Sequence, residues 1–132
     1  MSPTCGFCLE GSAAVQNTIL AHDPSSDLVP FAVWVPQLGA HRQHVASGAA
    51  LVTDHRAQQY WDATGWLGDA YGRVLPTPGS AWDVYMLYAR GVRWDGLVPP
   101  KPTYWMHQLA GVTIAPHLDP TVLQQHVLQL LA

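Results

Sequence analysis

Charge is the scarcest property of this chain. Only 11% of its 132 residues are Asp, Glu, Lys or Arg, and six basic residues stand singly in a sequence of formal net charge −3. Such a chain has no electrostatic footprint for nucleic acid, whose backbone is gripped by clustered cations. Long apolar runs are missing as well; no stretch approaches the roughly 20 residues that cross a bilayer, so no membrane partner is expected. The first residues lack the basic region and apolar core of a secretory leader, which makes a cytoplasmic location the expectation. There is no internal repeat, no G-x-S-x-G, no phosphate loop, no dinucleotide fingerprint and no H-E-x-x-H, so the corresponding enzyme classes have no support. Cysteine is nearly absent too: the chain has two, Cys5 and Cys8.

What is present is the composition of a folded protein. Apolar residues make up 48%, with six Trp and five Tyr. A chain of this size buries a real core, and one domain over residues 1–132 is expected.

The two cysteines define the most informative stretch, Thr4-Cys5-Gly6-Phe7-Cys8, which stands where a helix should begin. Thiols at i and i+3 fall on one face of a first helical turn, close enough to form a disulfide or share a metal. A cysteine at a helix N-terminus also feels unpaired N–H groups and the positive end of the dipole, both of which favour thiolate. In a reducing compartment such a pair is redox-active or metal-binding more often than a permanent staple.

Downstream, Leu9 to Ala21 carries a helical stripe interrupted by Gly11 and ended by Pro24. Leu28 to Val35 is an apolar, β-branched and aromatic run, expected as a parallel-type strand buried on both faces, with Pro30 at its start. Residues 36–48 are expected as loop. Asp54 is expected to cap a helix through Trp61, and a further helix should run from Gly65 to Leu75 before the Pro76–Ser80 break. Trp82 to Tyr88 should be a strand that turns at Ala89-Arg90-Gly91 into Val92-Arg93-Trp94, a hairpin. Tyr104 to Leu109 fits a strand or a helical turn, and Asp119-Pro120 should open a terminal helix over Thr121–Leu131.

A CxxC at a helix start, then helix, strand, helices, hairpin and helix resembles the thioredoxin-like superfamily from its active-site helix onward. Cys5-Gly6-Phe7-Cys8 matches the superfamily's C-G-x-C. Asp54-His55-Arg56-Ala57, Tyr60-Trp61-Asp62, Ala81-Trp82-Asp83-Val84-Tyr85 and Arg93-Trp94-Asp95 are similar to segments of a group of uncharacterised bacterial members. The resemblance implies an α/β fold, a three-layer sandwich in which a mixed sheet has helices on both faces. Only Met1 to Thr4 precede Cys5, so the strand that leads into the motif would be missing or truncated. The sheet edge left by it offers a surface for pairing with a second copy.

The implied activity is thiol-disulfide exchange on a protein or small-molecule disulfide, with Cys5 attacking, Cys8 resolving and no cofactor. Gly6 would let a partner backbone approach, and Phe7 would present an apolar surface to it. In the superfamily a cis-proline before the hairpin strand faces the thiols; counted back from Gly91, that place falls near Trp82-Asp83. A carboxylate there would raise a thiol pKa or take part in proton transfer. His107, beside Trp105 and Gln108, is a candidate base near the dithiol. Phe7, Trp82, Asp83 and His107 are thus the expected positioning residues. The alternative is a binding module: Cys5, Cys8, His41 and His44 could form a Cys2His2 zinc site, or the aromatic surface could dock a partner.

Overall fold

The computed structural model describes residues 1–132 and shows a mixed α/β protein with four α-helices and two small sheets. None of its helices is long and apolar enough to cross a membrane.

Helix α1 runs Gly6–Val15 and continues into a π-helical turn, Gln16–Leu20, so the helical run expected over Leu9–Ala21 is present and passes through Gly11. Gly11 is a point of close approach, since a Cβ there would overlap the hydroxyl of Tyr85. Strand β1 is Phe31–Trp34. It pairs in parallel with β2, Gln58–Trp61, placing Phe31 opposite Gln58 and Trp34 opposite Trp61. Only one face of β1 is buried, through Ala32 and Trp34; Phe31 on the other face is 62% exposed, which corrects the expectation of burial on both faces. Trp34 packs under the short helix α2, Val45–Ala49, where Gly48 leaves room for its ring. Its indole N–H donates to Gln59 Oε1 at 3.1 Å, and Gln59 Nε2 donates to the carbonyls of Ala49 and Val52, locking the pair of strands to the α2 segment.

The residues expected as a helix after Asp54 are therefore strand β2. Asp54 does accept the Arg56 N–H, at 2.8 Å, but the side chain closes a turn and not a helix. The Gln58 N–H then goes to the Pro30 carbonyl at 3.0 Å, so pairing with β1 overrides helix propensity. Helix α3, Trp66–Val74, lies close to its expected span.

Strand β3, Val84–Leu87, is antiparallel to β4, Tyr104–His107, and not to residues 92–94. Gly91 takes a positive φ of 86° as a turn residue. Trp94, however, stacks on Trp66 and meets Tyr71 edge-on, at centroid distances of 5.9 Å, which draws its segment onto α3. The proline-rich stretch then returns the chain to β4.

Alternation along β3 and β4 gives this sheet two covered faces. Tyr85 and Met106 join Ile19, Leu20, Leu123 and Val127 from the α1 extension and α4, Pro120–Leu131. Val84, Met86 and Trp105 point the other way, onto Tyr71, Leu75 and Ala81. The expected single mixed sheet is absent, because no strand joins the parallel pair to the antiparallel one. Residues 1–4 form no strand. Met1 nevertheless lies along the free edge of β1, its nitrogen donating to Val33 O and its carbonyl accepting from the Val35 N–H, both at 2.8 Å. The edge expected to pair with a second copy is thus met in part by Met1, whose side chain packs against the first core cluster.

Candidate functional site

Cys5 is the N-cap of α1, in extended conformation, and its sulfur accepts the Cys8 N–H at 3.3 Å. One of the orphan N–H groups of the helix start is therefore satisfied by a thiol sulfur, a contact that strengthens when the sulfur is a thiolate. Cys8, one turn on, is fully buried, and its sulfur accepts the Ser2 N–H, also at 3.3 Å. Both cysteines are free thiols. Cys5 keeps 6% of its surface exposed beside exposed Gly6 and Phe7, whereas Cys8 keeps none. The helix start is held to its neighbours by Ser2 Oγ donating to Gln37 O at 2.8 Å, Thr4 Oγ1 donating to Leu38 O at 3.1 Å, and Gln108 Nε2 donating to Phe7 O at 2.7 Å.

The third member of the site is Asp83. Its carboxylate and the two sulfurs all lie within 4.8 Å of one another, and all three residues are buried. Asp83 stands just before β3 with φ of 53°, a left-handed conformation that Asp tolerates better than most residues, and the Gln108 N–H to Asp83 O bond of 3.0 Å prolongs the β3–β4 ladder to it. All peptide bonds are trans. The Tyr85 hydroxyl donates to Asp83 Oδ1 at 3.0 Å.

Burial shapes the acid–base character of the cluster. It pushes the Cys8 thiol well above its ordinary value, with the Ser2 N–H acting in the opposite direction. Burial likewise raises the Asp83 carboxyl, partly offset by the Tyr85 hydrogen bond. The Tyr85 hydroxyl is raised by burial first and then by the adjacent carboxylate, so it remains a donor.

The remaining expected site residues take different places. Phe7 is 67% exposed at the mouth of the cluster. Trp82 is half-buried, next to Asp83 in the chain. His107 is buried in β4; its Nδ1 accepts the Leu109 N–H at 2.9 Å, which makes Nε2 the protonated nitrogen, donating to Ala115 O at 3.0 Å. Both nitrogens are thereby committed to backbone, so His107 pins the loop at residues 109–115 and has no free lone pair for a substrate or a thiol. His41 and His44 do not join the thiols: the only cluster of three or more metal-type donors is Cys5, Cys8 and Asp83. The His44 Nδ1 accepts the His41 N–H at 2.9 Å, folding the two imidazoles onto their own turn and correcting the Cys2His2 expectation.

Tyr85 and Ser2 were not singled out by the sequence. The alternation Asp83-Val84-Tyr85 carries a signal for the first, since i and i+2 share a strand face. Nothing local marks Ser2, whose backbone N–H is the group that meets Cys8. Comparison of the chain with protein-family models, with curated proteins and with solved structures gives no match.

Proposed function

We propose that the protein is a thiol-disulfide oxidoreductase of thioredoxin-like architecture. The observation that carries the reading is the Cys5 sulfur capping α1, with buried Cys8 one turn behind it and a buried carboxylate against both. Helices on both faces of β3–β4, and a strand parallel to the segment that leads into the motif, support the architecture.

In the reaction, the Cys5 thiolate attacks one sulfur of a substrate R–S–S–R′. A Cys5–S–S–R bond forms and R′–S⁻ leaves, to be protonated by water. Cys8 then transfers its thiol proton to the Asp83 carboxylate and attacks the Cys5 sulfur. The Cys5–Cys8 disulfide closes, R–S⁻ leaves, and two electrons have passed from the dithiol to the substrate. A dithiol reductant restores the pair. Burial raises the Asp83 carboxyl, which makes it a stronger base for the Cys8 proton than an ordinary carboxylate. Phe7 offers an apolar contact beside the attacking sulfur.

The test is a pair of variants assayed on a protein disulfide. Cys5→Ser abolishes reduction, and Cys8→Ser accumulates a mixed disulfide through Cys5 that mass spectrometry detects. Full reductase activity in Cys5→Ser, or a wild-type pair that cannot be oxidised and reduced reversibly, overturns the reading.

A further inference from the structure

The Cys5, Cys8 and Asp83 side chains do more than suit thiol exchange. We infer that, in the reduced protein, they form a binding site for a single zinc-class divalent ion, held by two sulfurs and one carboxylate oxygen. The site stands on donor geometry and is independent of redox turnover.

Three features carry it. First, the donor atoms already lie within 4.8 Å of one another. A tetrahedral zinc ion with Zn–S near 2.3 Å and Zn–O near 2.1 Å holds its donors roughly 3.5–3.8 Å apart. Closing onto an ion thus asks for a contraction of about 1 Å or less, which side-chain rotation supplies without moving α1 or β3.

Second, each donor is oriented by a further bond of the kind that steadies metal ligands. Cys5 Sγ accepts the Cys8 N–H, Cys8 Sγ accepts the Ser2 N–H, and Asp83 Oδ1 accepts the Tyr85 hydroxyl. These donors point at groups that become anionic on binding a cation. Third, two thiolates and one carboxylate make a set of intermediate softness, which selects zinc-class ions over magnesium or calcium. The three protein ligands leave one coordination position for water or a substrate thiolate. Cys5, exposed at its edge beside Gly6 and Phe7, provides the way in.

The ion and the Cys5–Cys8 disulfide exclude each other, because both use the same sulfur lone pairs. Metal binding would therefore hold the dithiol reduced and silent.

The experiment titrates the reduced full-length protein with zinc alone against a chromophoric chelator, and with cadmium alone to observe the thiolate charge-transfer band. The expected result is one ion per chain, a cadmium band that is lost in Cys8→Ser, and affinity weakened at least about 10-fold in Asp83→Asn. The oxidised protein binds none. In wild-type protein, which avoids any question of variant folding, zinc slows alkylation of Cys5 by iodoacetamide. No binding by the reduced chain, or equal affinity in wild type and Asp83→Asn, overturns the proposal. Reversible disulfide formation without zinc binding would sink the metal site and leave the oxidoreductase intact; zinc binding without reversible oxidation would do the reverse.

Discussion

At the scale of single residues, Asp83 is the group on which the proposed chemistry turns. It lies just before β3, and its buried carboxyl accepts a hydrogen bond from the Tyr85 hydroxyl. Asp83→Asn keeps the shape and an oxygen acceptor for Tyr85 but removes the proton acceptor for Cys8. Resolution of a mixed disulfide should slow about 100-fold, the usual worth of a placed acid–base group. Single-turnover release of a thiol from the Cys5 adduct measures this, and an unchanged release rate would remove Asp83 from the proton path. Gly11 tests the same wall from the helix side. A methyl group in Gly11→Ala strikes the Tyr85 hydroxyl, so stability should fall by about 1–3 kcal/mol, the range for overpacking. Removing that hydroxyl in the Gly11→Ala, Tyr85→Phe double variant should recover part of the loss, as expected for residues in contact. Urea unfolding of the four proteins provides the cycle, and strict additivity would mean that the two do not touch.

At the scale of elements, the segment after Val52 shows how far local chemistry reaches. The sequence marks Asp54 as a cap, and its carboxylate does bind the Arg56 N–H. The chain beyond that turn is nevertheless a strand, because the cap's second partner is the Arg56 guanidinium, 2.7 Å from Asp54 Oδ2, which also reaches the carbonyls of Ser25 and Leu20. Those carbonyls lie more than thirty residues upstream, and no local pattern encodes them. The antiparallel pair departs from the expected hairpin for a similar reason. Gly91 turns the chain as its type suggests, yet the partner of β3 is chosen by side chains: Trp94 goes to Trp66 and Tyr71, leaving Met106 to face Tyr85. Helix α4 was legible because its signals are local. Asp119 accepts the N–H groups of Thr121 and Val122, and Pro120 opens the first turn. The thiol pair was legible for the same reason, whereas its neighbours Ser2 and Tyr85 depend on tertiary approach.

The Asp54–Arg56 pair carries a pH dependence. Hydrogen bonds from the Arg56 side chain hold the Asp54 carboxyl down from 3.8 to about 2. The folded state binds this proton more weakly than the unfolded chain does. The stabilisation is therefore complete above about pH 4 and drains away as pH falls toward 2. Asp54→Asn should unfold at lower urea than wild type at pH 7, and the gap should close by pH 2. A gap independent of pH would assign the loss to packing of the 20–28 and 54–56 segments instead of charge.

At the scale of the whole molecule, the question is whether the two core clusters act as one. They lie on opposite faces of β3–β4, and the apolar residues of that sheet divide between them: Tyr85, Leu87, Tyr104 and Met106 on one side, Val84, Met86 and Trp105 on the other. Losing either cluster leaves one face of a two-stranded sheet against water, and an isolated pair of strands is marginal at best. The clusters should therefore melt together. Ile19→Val in the first should cost about 0.5–1.5 kcal/mol and Leu75→Ala in the second about 2–5 kcal/mol. Because the two side chains share no cluster, their costs should add to within about 0.5 kcal/mol in the double variant. All four proteins should show one urea transition, coincident by tryptophan fluorescence and far-UV circular dichroism. Two separable transitions, with Ile19→Val moving only one, would mean that the helices of α1 and α4 form a unit stable without α3. The thiol site would then fall at a seam: Cys5 and Cys8 on α1, Asp83 at the start of the shared sheet. With a single transition it sits within one cooperative structure, which is what fixed spacing of the three donors requires.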